Sequence, residues 1–483
     1  MSGNVVPSES PDAPQCLSSR EGLGFLGIGL STASFIHMLS FSWWMGLVSG
    51  QVLLGATLLL FFLPRSVCAL STFLVASLVY WYQRLPFVPN HIFFEILVHV
   101  GMLGTIMVVV VTRWGKEKEA CDDLGDSIYE RIRPVVMASL IIMYLFTVLH
   151  KLNWDFLNPA VSCAVSMHKE LASVVPFVPS DEWTFWPTIV GTLAIELLIP
   201  LGLWWRPTRM LAVVLGLFFH WFLALHPHGG IYSFSHLLYA LYAVFLFSSK
   251  DHPCELWSGM PRWGGIVIKL LAVTIFGSGI FLQMQAYKTG QGFLVANAIG
   301  FYIWLLFAGF MASTYAAHFY LNPSRRLTAP EFCSMGCLWI FPVLVFLNGA
   351  CPYLSLKTTT AFSMFSNIRT EVNANNHLFM PRLKLFGYQD DLVMITESND
   401  RQLRQYAKTK DLITWFEFQR IVASRKRADL FVRYSRNGVQ ATLERKNKEK
   451  RNEGQLMKHP WYLAKFLVFR PIGRLDKPMP CRH

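Results

Sequence analysis

An apolar run ends at Met143-Tyr-Leu-Phe-Thr-Val-Leu-His150-Lys151-Leu-Asn-Trp-Asp155. It places a histidine, a lysine and an aspartate at a helix boundary. Ionisable side chains at membrane depth are costly, so they face a partner or a polar cavity. A desolvated lysine gives up its proton readily and can then act as a base. The same spacing also suits a Lys151–Asp155 ion pair, or a lysine snorkelling toward the headgroups. On this stretch alone those plainer readings weigh more.

The other ionisable residues shift that balance. Asn90 and His91 stand at a helix start, and Glu95 and His99 follow at intervals of four, on one helical face. Glu196 sits in the middle of its run, and His220 lies in Phe218-Phe-His220-Trp-Phe. His226 and His228 share a short connection, and His236 follows early in the next run. Each alone reads as a packed core histidine, a hydrogen-bonded strut or a solvated turn. Most of them collect toward one end of the runs, where random snorkelling would spread them over both. A one-sided polar pocket argues for chemistry or transport. No metal is expected: the histidine-box spacing of membrane di-iron enzymes is absent, and so is any CxxC pair. Cys333 and Cys337, four apart on an apolar run, read as packing.

Composition says what must position these residues. The chain is 53% hydrophobic and only 15% charged, against roughly 25% charged in soluble proteins. This implies a polytopic α-helical membrane bundle. The net charge of +13 raises nucleic acid, but no zinc-finger or RNA-recognition signature supports it. Residues 1–22 are polar and read as disordered, with no cleavable signal pattern. Eleven apolar runs follow, at 23–39, 43–63, 67–81, 91–111, 135–149, 185–204, 210–225, 231–247, 264–282, 292–312 and 333–347. Several are short, so about 9–11 spans are expected. Loops after the even-numbered runs carry 12 Lys and Arg, and those after odd-numbered runs carry 4. That asymmetry puts the N-terminus in the cytosol and everything after the last run on the luminal or extracellular side. The membrane would be an endomembrane such as the ER, or the plasma membrane.

From 352 to 483 the chain turns polar and reads as a small α+β extramembrane domain. A helix is expected from Asp411 to about Arg425, and strands at 430–434 and 439–443 around an Asn437-Gly438 turn. A charged loop follows at 446–454, and 461–470 suits a last strand. Cys163 and Cys351 fall on the same, oxidising side and are expected to pair.

Asn90-His91, Leu149-His150-Lys151-Leu-Asn-Trp-Asp155 and Phe219-His220 followed by Gly229-Gly230-Ile-Tyr-Ser-Phe resemble motifs of the vitamin K-dependent gamma-carboxylase family. Its membrane module is the horizontally transferred transmembrane (HTTM) domain. The resemblance covers roughly 20–250, with further helices at 251–351. Asn367, Arg369, Glu371 and His377 look like motif residues of the family's less-studied members, with no assigned role. In the carboxylase, reduced vitamin K is oxygenated by O2, and the strong base formed removes a proton from a glutamate whose carbanion captures CO2. The resemblance implies a lyase-type enzyme with Lys151 as the initiating base, His91 in the carboxylation half and His220 as a further site histidine. Its cofactor would be reduced vitamin K or another quinol, with O2 and CO2 as co-substrates. Membrane lipid would be a partner, and a protein or peptide a substrate. The carboxylase has a much larger luminal region, and nothing in 352–483 identifies a propeptide groove. Two other readings stay open: a proton-coupled transporter or lipid-binding protein, and a non-catalytic scaffold.

A lysine base imposes conditions of its own. Few carboxylates should lie within ~4–6 Å of Lys151. Asp155 should turn away, and Lys151 should face a cavity that His91 or His220 also lines.

Overall fold

The computed structural model describes residues 21–114, 124–228, 230–248, 262–290, 292–321, 332–372, 374–425, 429–445 and 459–481. Residues 1–20 of the expected disordered stretch, Gly229 and the charged loop at 446–454 lie outside them.

Each apolar run forms a helix. They are α1 (Glu21–Ser40), α2 (Val48–Phe62), α3 (Val67–Arg84), α4 (Asn90–Arg113) and α5 (Leu124–Lys151), the last followed by two short helices, α6 (Trp154–Leu157) and α7 (Cys163–Ala172). Then come α8 (Phe185–Trp204), α9 (Arg209–Ala224), α10 (Ile231–Leu246), α11 (Arg262–Lys288), α12 (Gly292–Leu321) and α13 (Ile340–Ala350). Among the described residues, seven helices are long and apolar enough to cross a membrane, and three more are apolar but shorter.

Hydropathy placed the start of the fifth run at residue 135, but α5 begins eleven residues earlier. Its first turns are amphipathic. Ile128, Tyr129 and Ile132 are buried, the Tyr129 hydroxyl donates to the Phe247 carbonyl at 3.1 Å, and Arg133 Nε donates to the Val244 carbonyl at 3.0 Å. Helix α1 packs along α10 through a small-residue contact. A Cβ at Gly29 would lie 2.8 Å from that of Ala240, which is how helices approach closely where no hydrophobic drive separates lipid from protein.

After α13 the described residues have no helix or strand until Leu392, yet most of 351–372 is buried. Ser355, Thr360, Phe362, Phe365, Asn367 and Val372 all have positive φ. For bulky and β-branched residues that region is unfavourable, and it persists only where surrounding contacts over-determine it. Here they do. Asn348 Nδ2 donates to the Thr360 carbonyl at 2.9 Å, Asn90 Oδ1 accepts from the Phe362 amide at 2.9 Å, and Asn367 Nδ2 donates to the carbonyls of Val161 and Met479, each at 2.9 Å. This segment forms a cap across the end of the bundle.

The C-terminal part holds a four-stranded antiparallel sheet in the order β2-β1-β3-β4. Its strands are β1 (Leu392–Ser398), β2 (Leu412–Thr414), β3 (Leu430–Arg436) and β4 (Val439–Arg445), with α14 (Arg401–Thr409) and α15 (Trp415–Ser424) beside them. The β3–β4 hairpin turns at Asn437 and Gly438, with φ of 49° and 86°, the twist-matched turn that Asn-Gly favours. The helix expected from Asp411 starts only at Trp415, because Leu412–Thr414 pairs with β1 and Thr414 caps the helix. The strand expected at 461–470 is instead α16 (Trp461–Phe466), entered from Pro460. The chain beyond it is extended, and Leu412 and Ile472 form an isolated bridge.

The expected Cys163–Cys351 disulfide does not form. Cys163 pairs with Cys481, and Cys351 is a buried free thiol donating to the Leu347 carbonyl. The tail explains the choice: Asn367 holds the Met479 carbonyl and Asp155 accepts from the Met479 amide at 2.9 Å, which brings Cys481 to the start of α7.

Candidate functional site

Met143, Thr147 and Lys151 recur every four residues on α5 and so share one face. That face meets the first turn of α4, where Asn90 and His91 lie, and the cap residues Phe362 and Phe365, around a partly open apolar cavity of about 80 Å³. Asn90 therefore does two things: it lines the cavity and holds the cap in place.

Lys151 does not stand alone. Its Nζ donates to Glu196 Oε2 at 2.5 Å, and both side chains are largely buried. The expectation of few neighbouring carboxylates is thereby overturned. Asp155 was the carboxylate nearest in sequence; one on another helix, 45 residues on, took the place because α8 packs beside α5. Asp155 turns away, as expected, and accepts from Asn376 Nδ2 at 2.7 Å and from Met479 N.

His91 is fixed by its neighbour. Ser233 Oγ donates to the Gly230 carbonyl at 3.0 Å and lies 3.3 Å from His91 Nε2. With its proton committed, Ser233 accepts from His91 Nε2–H, and this assigns the tautomer that leaves Nδ1 as a lone pair. That Nδ1 is buried and makes no hydrogen bond among the described residues.

The remaining histidines sit elsewhere. His220 is absent from the cavity wall: its Nε2 is 2.5 Å from the Tyr144 hydroxyl, which in turn is 2.6 Å from that of Tyr242. His236 pairs with Thr32 at 2.8 Å. His226 and His228 occupy the connection before α10, with His226 Nε2 3.6 Å from Glu170 and His228 edge-on to Phe365. Glu95 lies between His37 at 2.9 Å and His99 at 3.7 Å, and His99 continues to Ser77 at 3.0 Å.

His150 and the four motif residues of unknown role hold the cap. His150 bonds the Tyr353 hydroxyl at 3.0 Å and the Ala361 carbonyl at 2.9 Å. Asn367 Oδ1 accepts from the Cys163 amide at 2.8 Å. Arg369 donates to the carbonyls of Ala374, Arg474 and Lys477, and Glu371 accepts from the Thr370 amide. His377 bonds the Leu149 carbonyl at 2.8 Å; burial lowers its pKa, and that bond opposes the shift.

Sequence reasoning missed His37, Asn153 and Lys357. Asn153 caps α6, accepting from the Phe156 amide, and donates to the carbonyls of His150 and Ser366; its place as the only small polar residue in Lys-Leu-Asn-Trp was a signal. Lys357 is buried under the cap, 3.6 Å from the Phe93 ring centroid, and donates to Thr360 Oγ1 at 3.0 Å. Burial lowers its pKa to about 8. Among the described residues no group of three or more His, Cys, Asp or Glu could hold a metal. No family model, curated protein or solved structure matches the chain.

Proposed function

We propose that this chain is an integral membrane enzyme of about 9–11 spans that starts a quinol-linked oxygenation or carboxylation by proton abstraction at Lys151, in the manner the gamma-carboxylase resemblance implies. One observation carries the reading: Lys151, His91 and Asn90 converge on one apolar cavity. Reduced vitamin K or another quinol would supply the oxidisable ring, with O2 and CO2 as small co-substrates. The wall suits such a ring, with aromatic faces and a base at one side. At about 80 Å³ the cavity is well short of the ~300–1,000 Å³ of a drug-sized site, so a ring needs the wall to widen, while molecules the size of O2 or CO2 fit as it stands.

The residues divide the work. Lys151 is the group that takes a proton from a bound hydroxyl, and Glu196, 2.5 Å away, is placed to receive that proton in turn. His91 presents Nδ1 as a lone pair, and Asn90 ties the cap to the cavity floor. His220 supports the wall from behind through Tyr144.

The test is purified protein in nanodiscs with reduced vitamin K, labelled CO2 and a glutamyl peptide, following epoxide and label incorporation separately. Epoxide should form and should be lost in Lys151→Arg, since a guanidinium does not deprotonate usefully. A folded Lys151→Arg protein with full turnover overturns the lysine base. Epoxide without label would restrict the chain to the oxygenation half.

A second reading rests on Glu95 between His37 and His99. Buried ionisable groups of this kind also serve proton-coupled transport. Proton uptake into liposomes that is abolished in Glu95→Gln and indifferent to Lys151→Arg would favour it.

A further inference from the structure

The short helix α16 is tied to the end of a bundle helix. Lys465 Nζ donates to the backbone carbonyls of Tyr82, Gln83 and Leu85 at 3.1, 3.4 and 3.1 Å. These are carbonyls at and just beyond the end of α3, the groups a helix leaves unsatisfied and a lysine can satisfy. The five-residue link 85–89 joins α3 directly to α4, one of the membrane-length helices. Helix α16 is therefore level with the boundary at which a span begins.

At that level it presents Trp461, 67% exposed, together with exposed Tyr462 and Phe466. Below them Val75, Val79 and Tyr82 form the exposed face of α3, and Phe87 in the link is exposed too. The apolar surface thus runs without a break from the outward face of a bundle helix onto a helix of the C-terminal part. Tryptophan and tyrosine, with an apolar body and a polar edge, concentrate at such a membrane–water boundary.

We infer that α16 is an interfacial foot: Trp461, Tyr462 and Phe466 sit among the lipid headgroups of one leaflet and seat the C-terminal part on the bilayer. The occupant is the lipid surface itself, because the exposed stripe continues the lipid-facing side of α3 and Lys465 fixes the helix at its end. The inference rests on the membrane reading proposed above and not on the reaction.

The test places p-benzoylphenylalanine at 461, at 462, at Leu211 on the exposed face of α9 and at Val439 on the exposed strand β4, each in the full chain in phosphatidylcholine nanodiscs. After illumination, adducts are identified by mass spectrometry. Lipid adducts at 461, 462 and 211 with none at 439 are expected. Lipid at 211 but none at 461 and 462, or adducts there only to protein, whether a second copy or another chain, overturns the foot and leaves the membrane reading standing. Absence of lipid at 211 as well overturns both. Lipid at 439 as strongly as at 461 shows that the label reports general proximity, and this too overturns the foot.

Discussion

Two lysines in this chain are buried in different ways, and each predicts a different response. Lys151 has a carboxylate at 2.5 Å. Removing one partner of a buried pair leaves the other charge uncompensated, which costs about 3–5 kcal/mol. Lys151→Ala should therefore lower thermal stability, and adding Glu196→Gln should restore most of the loss. A double mutant no more stable than Lys151→Ala would show that the pair is not coupled. Among the described residues Lys357 has no carboxylate partner: its ammonium meets a hydroxyl and an aromatic face. Its folded pKa, about 8, lies below the unfolded 10.5. Between those values the unfolded chain holds a proton the folded chain has released, so stability rises with pH across that window and the penalty for burying the charge is complete below it. Lys357→Met should accordingly stabilise the protein at pH 7, by on the order of 2–3 kcal/mol, with the gain fading as pH approaches 10.5. Melting curves of both proteins across pH 7–10 would read this; a gain independent of pH would exclude the charge as its cause.

At the level of elements, the local pattern of the chain gave away the long apolar helices and the hairpin, since both depend on residues close in sequence, but not the short helices α6, α7, α14 and α16. Asn437-Gly438 marks its own turn, and Lys151, Thr147 and Met143 declare a common face by spacing alone. What stayed hidden depends on contacts across hundreds of residues. Glu196 was visible as a mid-span carboxylate, yet nothing in its spacing points to Lys151. The cap was invisible because it has no period: its order comes from Asn90, Asn153, Asn367 and His150 bonding backbone groups far away in the chain. Cys481 could not be chosen over Cys351 for the same reason, since the decision lies with Asn367 and Asp155 gripping Met479. That grip and the disulfide act together on the tail. Cys481→Ser should cost about 2–4 kcal/mol and expose residues 472–481 to proteolysis, with a Cys163–Cys481 peptide recovered only from the unreduced wild type. Recovery of a Cys163–Cys351 peptide instead would refute the assignment.

For the whole molecule the open quantity is which side each end occupies, and two charge arguments pull in opposite directions. The stretches between the apolar runs favour a cytosolic N-terminus, 12 basic residues against 4. Yet residues 352–483 hold 25 Lys and Arg against 12 Asp and Glu, an excess equal to the net charge of the entire chain, on the side this topology calls luminal or extracellular. The conflict is resolved by range. The positive-inside bias acts on short loops and on residues near the ends of spans, while long segments cross largely regardless of charge. Cysteine chemistry bears on the same question. The disulfide joins α7 to the tail, both on the far side in this topology; Cys68 at the start of α3 and Cys337 just before α13 are free and exposed, and the third free thiol among the described residues, Cys351, is buried. Disulfides persist in oxidising compartments and not in the cytosol, so this topology predicts that the bonded pair lies outside. A protease added to sealed microsomes should thus remove a tag fused before Met1 and spare one fused after His483 until detergent is added. Cleavage of the C-terminal tag in intact vesicles would invert the topology, and with it the side from which the cap and its cavity are reached.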